Sequence, residues 1–201
     1  QAVYSCEASC RVDFINPVLV QEPDRVTGGQ WVGHYGRSGY SLRGFRNTGH
    51  LERLPDYIEK IECTGTVKYL QAEGLETALL SAPDGRPETG AGYDSSTGIL
   101  QYTIHAKDHA LHRMTLYMAD YPQSGFGIIC KDRRMAVDIK TPAGQIFAEQ
   151  ISVEDFKQGM YLSFTYQGSV TLTIHNQITL GLCDAVCSGI FFDEPDAADG
   201  Q

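Results

Sequence analysis

A chain of 201 residues is long enough to bury one well-developed core, and nothing in its composition forces a division into two domains. A net charge of -9 argues against nucleic acid as a partner, because phosphate neutralisation needs clustered Lys and Arg. The longest apolar runs, such as Gly189-Ile190-Phe191-Phe192, fall far short of the roughly 20 residues a spanning helix requires, so no membrane insertion is expected.

The chain opens at Gln1 with neither a Met nor a basic-then-apolar leader, which reads as a mature or trimmed product. Residues 1–10 form a segment carrying Cys6 and Cys10, a C-x3-C pair mirrored near the other end by Cys183 and Cys187. Together with Cys63 and Cys130 they make six cysteines, an even number that suits disulfides formed in an oxidising compartment and hence secretion. The pairing is open. A four-thiolate zinc site is the less favoured reading, since structural zinc more often uses C-x2-C knuckles. Cys63 and Cys130 are readable as a bridge or as buried thiols.

From residue 11 onward, short alternating or β-branched runs recur and no stretch sustains helical periodicity. They predict strands over 11–20, 57–63, 66–70, 99–105, 113–120, 135–140, 145–151, 161–166, 170–175 and 189–192. Turns punctuate them, as at Pro83-Asp84-Gly85 and Pro142-Ala143-Gly144. Such spacing is that of an all-β, two-sheet antiparallel β-sandwich with jelly-roll topology, here over residues 11–194. Val170-Thr171-Leu172-Thr173-Ile174 alternates apolar-in with Thr-out, as one wet face demands. Helix is expected only near 152–158, where Ser152 caps and Asp155 follows three positions on. Residues 195–201 read as a flexible acidic tail.

The stretch from Gly29 to Tyr40 contains G-x-W-x-G-x-Y-G-x-x-G-Y. Leu54-Pro55-Asp56-Tyr57, Asp108-x-x-x-His112-Arg113-x-x-Leu116-Tyr117, Gly159-x-Tyr161 and Ser188-Gly189-Ile190-Phe191-Phe192 follow in order. Over residues 24–193 this series resembles the accessory, carbohydrate-binding-like sandwich modules appended to secreted bacterial glycoside hydrolases. The resemblance implies the fold and, by association, a glycan partner; the cysteines are extras that the family pattern lacks.

Several constellations carry chemistry. Trp31, with Tyr35 and Tyr40 nearby, is a stacking platform for a pyranose face or, more simply, a fold signature with Trp31, Gly33 and Tyr35 on one strand face. Arg37, Arg43 and Arg46 form a guanidinium set suited to a uronate or sulfate, against the plainer reading of solvated surface arginines. His105, His109 and His112 read as an ordinary hairpin with His109 at its tip rather than as a metal group. Glu22, Asp24 and Asp193 are hard oxygen donors brought together if the first and last strands neighbour each other, and suggest a structural calcium ion. Asp120 and Glu154 are a carboxylate pair whose separation would decide any acid–base role. No G-x-S-x-G, H-E-x-x-H or phosphate loop occurs.

These features favour a secreted, lectin-like carbohydrate-binding module, with an acidic glycan as the expected ligand. One alternative is a structural or adhesion domain that docks on other extracellular protein domains, favoured if Trp31, Tyr35 and Tyr40 are all buried and no aromatic-lined cleft exists elsewhere. A second is a polysaccharide lyase or hydrolase on a jelly-roll scaffold.

Overall fold

The computed structural model describes residues 20–47, 49–71, 76–87, 90–125, 128–130, 132–178 and 183–195. Cys6, Cys10, the N-terminal segment, nearly all of the strand expected over 11–20, and the tail beyond Pro195 lie outside the described residues.

Two five-stranded antiparallel sheets pack face to face. One runs β12(Met160–Gln167), β7(Leu111–Met118), β15(Gly189–Asp193), β1(Gly39–Leu42), β2(Leu51–Arg53). The other runs β11(Ile146–Val153), β10(Met135–Lys140), β13(Val170–Asn176), β6(Ile99–Ala106), β3(Ile58–Cys63). A smaller sheet of β14(Asp184–Cys187), β5(Gly90–Thr97) and β4(Thr66–Gln71) adjoins them, and β8(Gln123–Gly125) pairs with β9(Ile128–Cys130). Strands cross repeatedly from sheet to sheet, as at β6 to β7 and β12 to β13, which is the jelly-roll manner of winding.

The alternation in β13 does what period two dictates: Val170, Leu172 and Ile174 are fully buried while Thr171, Thr173 and His175 stay partly exposed. In β12 and β15, by contrast, almost every residue is buried on both faces. The cause is the segment 20–36, which runs along the free edge of β12 through the Val20–Phe164 and Asp24–Tyr161 bridges and then lays Trp31 on Phe191 and Tyr35 on Tyr161. A sheet covered on both sides reads as a continuous apolar run, Gly189-Ile190-Phe191-Phe192, rather than as alternation.

Three expectations are corrected. The helix near 152–158 does not form: β11 continues through Ser152, which pairs with Ala136, and Asp155 adopts a left-handed φ of 53° that no helix admits. The histidine hairpin is not one: β6 pairs with β13 and β3, β7 with β12 and β15, so residues 107–110 cross between sheets. Residues 31–35 are a turn, with His34 and Tyr35 N–H donating to the Trp31 carbonyl and Gly33 at φ 88°, rather than a strand.

Candidate functional site

The residues first suspected of ligand contact are mostly occupied in holding the fold. Trp31 is 4% exposed, packs 5.0 Å from both Tyr40 and Phe191, and donates its Nε1–H to the Ser81 carbonyl at 2.9 Å. Tyr35 stacks on Tyr161 at 4.2 Å and donates to Asp24 Oδ2 at 2.8 Å. Burial and the Asp24 charge both push its hydroxyl well above the usual tyrosine range. Tyr40 is half-buried beneath the Arg53 guanidinium, 5.2 Å from the ring centre. No aromatic platform results.

Since Trp31 is the sole tryptophan, its emission is expected to be blue-shifted, protected from iodide, and unchanged by any bound polysaccharide. Iodide quenching or a ligand-induced shift would restore it as a contact residue.

The three arginines go to separate environments. Arg43 is 3% exposed and bonds the Asp94 carboxylate at 2.5 Å and Glu52 at 3.0 Å, with Tyr102 sharing Asp94 at 3.0 Å. Arg37 is exposed, its side chain reaching the Gly33 carbonyl at 3.5 Å. Arg46 is exposed and covers Phe45. A shared carboxylate clamp is not assembled from them.

Among the expected cation ligands, Asp24 accepts from the backbone of Val26 and Thr27, from the Thr27 hydroxyl and from Tyr35. Burial pushes its carboxyl up, but these hydrogen bonds outweigh it and hold the group below the usual range. Asp193 is buried and accepts the N–H groups of Gly36 and Arg37 at 2.9 and 2.8 Å, while Glu22 is exposed. Among the described residues no three His, Cys, Asp or Glu side chains gather as a metal-binding group. His105 pairs with Glu62 at 3.1 Å; His112 bonds Asp108 at 2.9 Å and stacks on Tyr57.

Cys130 and Cys183 form a disulfide, whereas Cys63 and Cys187 carry free thiols: the Cys63–Cys130 bridge does not form, and Cys187 takes no part in the disulfide expected of it. Cys63 turns to the Asp94 carboxylate at 3.4 Å. Cys187 is fully buried against the Tyr117 and Gly189 carbonyls, and burial, with the Asp94 charge beside it, pushes its thiol up to about 12. Because the thiolate is the nucleophile, Cys187 is expected to resist iodoacetamide at pH 8 until urea is added, as read by peptide mass mapping. Labelling of Cys187 in the folded protein would contradict its burial.

Among the described residues, a feature that can receive a ligand lies elsewhere. A cleft of about 510 Å³ opens between two loop walls, residues 132–134 after β9 and residues 154–159 between β11 and β12, with Arg25 at one side and Asp120 beneath. Its floor is rigid. Arg133 and Asp120 are 1% and 4% exposed and form a buried ion pair. The Arg133 backbone N–H reaches the second carboxylate oxygen at 3.0 Å. The same guanidinium donates to the Tyr121 carbonyl at 2.5 Å and, through Nε, to the Asp184 carbonyl at 3.2 Å. Phe156 is 1% exposed and packs below the second wall, its carbonyl accepting from Asp120 and Gly159 N–H.

The rim is charged and reciprocal. Asp132 on one wall meets Lys157 on the other at 2.5 Å, and Arg134 meets Glu154 at 3.9 Å. The Asp132 carboxylate raises the Lys157 ammonium above its usual value. Asp132 and Asp155, one per wall, both hold left-handed φ values, 56° and 53°. Arg46 and Gln150, outside the cleft, share that conformation, which short polar side chains such as Asp adopt readily. Gly159 closes the second wall at φ 92°; a Cβ there would stand 2.0 Å from the Tyr117 hydroxyl, so only glycine fits.

Of the cleft residues, the sequence singled out only Asp120 and Glu154, and as a catalytic pair. The structure does bring both to one cleft, though Asp120 serves as the counter-ion of Arg133. Arg25, Asp132, Arg134 and Lys157 were missed. The signal available was Lys131-Asp132-Arg133-Arg134, a basic run without parallel in a chain of net charge -9.

No protein-family model and no curated protein sequence matches the chain. Among solved structures it is similar to an exo-β-1,3-galactanase from Phanerochaete chrysosporium in complex with β-1,3-galactotriose (12% identity, 78% of this chain and 29% of that one, TM-score 0.37). It is also similar to the ANX2 ectodomain from Arabidopsis thaliana (11% identity, 90% of this chain and 51% of that one, TM-score 0.43). A third likeness is to TmCBM61 in complex with β-1,4-galactotriose (7% identity, 68% of this chain and 90% of that one, TM-score 0.25). The chain thus spans no more than about half the length of the first two.

Proposed function

We propose that this chain is an extracellular carbohydrate-binding module whose ligand sits in the cleft between residues 132–134 and 154–159. One observation carries the reading: a cavity of about 510 Å³, within the range that accommodates small ligands, is lined by charged donors and acceptors over a buried, hydrogen-bonded floor. Carboxylates and guanidinium groups hydrogen-bond sugar hydroxyls in pairs, and the walls alternate them. Stacking on Trp31 plays no part, because that ring is enclosed. The Cys130–Cys183 disulfide supports secretion, and among the described residues no helix is long and apolar enough to cross a membrane.

Affinity electrophoresis against soluble polysaccharides tests the reading. Wild-type protein is expected to be retarded by at least one polymer, and Arg134→Ala to lose roughly tenfold in affinity as a charge-assisted hydrogen bond disappears. Absence of retention on every polymer would remove the reading and leave docking on another extracellular protein domain in its place.

A second reading, turnover of a sugar polymer, rests on Glu154 as a solvent-facing carboxylate of the cleft, since Asp120 is committed to Arg133 through both of its oxygens. Reducing-end or unsaturated-product release from neutral and uronate polymers, abolished by Glu154→Gln, would establish it.

A further inference from the structure

We infer that the cleft selects neutral saccharides and excludes uronates, because its charges are balanced and already matched across the opening. The inference rests on the reading of the cleft as a sugar site. Among the described residues of the lining, four basic side chains are offset by four carboxylates, so no net field of theirs draws an anion in. The pattern on the rim is complementary as well as neutral: an acid then a base on one wall, Asp132 and Arg134, face a base and an acid on the other, Lys157 and Glu154. These four side chains are between 51% and 69% exposed, and ion pairs so well solvated are weak and easily exchanged.

A neutral sugar satisfies such a rim at no electrostatic penalty. Adjacent hydroxyls donate to Asp132 or Glu154 and accept from Arg134 or Lys157, so each ion pair is replaced by hydrogen bonds to both of its partners. A uronate carboxylate would claim one cation and leave that cation's own carboxylate uncompensated beside it. The buried floor offers no relief, since Arg133 is neutralised by Asp120 and has donors committed to two backbone carbonyls. The arginine set that first suggested an acidic glycan, Arg37, Arg43 and Arg46, contributes nothing to this cleft.

The test is affinity electrophoresis of the whole chain against galactomannan, arabinoxylan and β-glucan on one side and polygalacturonate and alginate on the other, at 20 and 500 mM NaCl. Retention by a neutral polymer, changing less than about twofold between the two salt concentrations, is the expected result, since an uncharged polymer makes no charge–charge interaction for salt to screen. Stronger retention by a uronate polymer, falling tenfold or more with salt, would overturn the inference while leaving sugar binding standing. Failure of every polymer to retain the protein would overturn both.

The double variant Asp132→Asn with Glu154→Gln gives the cleft two excess positive charges through exposed positions, with an unchanged melting temperature as the check on folding. It is expected to lose affinity for the neutral polymer and to gain retention by polygalacturonate. No gain would show that charge balance is not what sets the preference.

Discussion

Replacing Arg133 by methionine is expected to lower the free energy of unfolding by about 3–5 kcal/mol, a drop in melting temperature of roughly 10 °C. The Arg133 and Asp120 side chains are 0% and 2% exposed, so solvent cannot take over when one partner goes. The loss is chiefly the cost of leaving the Asp120 carboxylate buried without its counter-ion, and two backbone carbonyls lose their donor as well. Adding Asp120→Asn to the methionine variant should therefore recover part of the loss, which a pair worth only its own attraction would not show. Urea denaturation of the three proteins at pH 7 reads this. A change below about 1 kcal/mol for the single variant would mean that the pair is hydrated in solution. Because Arg133 stands between Asp132 and Arg134, sugar affinity is expected to fall with stability.

Removing the disulfide with Cys130→Ser and Cys183→Ser is expected to cost about 4 kcal/mol, the chain-entropy value for cross-linking residues 53 apart. The bridge has a second consequence. Cys130 precedes the first wall of the cleft by two residues, and Cys183 precedes Asp184, whose carbonyl receives the Arg133 Nε–H. Reduction should therefore release the wall as well as widen the unfolded ensemble. The expected result is weaker retention on polysaccharide gels under reducing conditions, at temperatures well below the melting transition. Equal affinity and a stability loss under about 1 kcal/mol would show that packing alone holds the wall.

How far the sequence foretold the molecule is clearest in particular elements. Strands β3, β4, β6, β10, β12, β13 and β15 were readable within a residue or two, because each carries enough apolar or β-branched residues to mark a buried face. β1, β2 and β14 were not. They are three or four residues long, and their place depends on partners far away in the chain, such as Phe191 beside Tyr40 and Asp94 beside Cys187. Within the Gly29 to Tyr40 motif, Trp31 is enclosed in the core, yet residues 31–35 form a turn rather than a strand, and only Gly39 and Tyr40 enter β1.

The candidate site was nearly illegible. Its two walls are separated by about twenty residues of chain and meet only because β10 and β11 turn back between them. Asp132 and Lys157 carry no pattern that announces a pairing, and a left-handed φ at Asp132 or Asp155 leaves no mark in composition. Arg43 shows the opposite failure: its Gly-rich surroundings suggested a solvent-exposed loop, while folding placed it against Asp94 in the interior.

The sequence by itself determined that this protein is all-β, acidic, cysteine-bearing and wound as one sandwich, because period-two burial and turn chemistry are local properties written into consecutive residues. Only the tertiary structure decided which cysteines bond, which arginines are buried and where two charged loops face each other across a cleft. Those depend on long-range register and on burial, and no short stretch of sequence contains either.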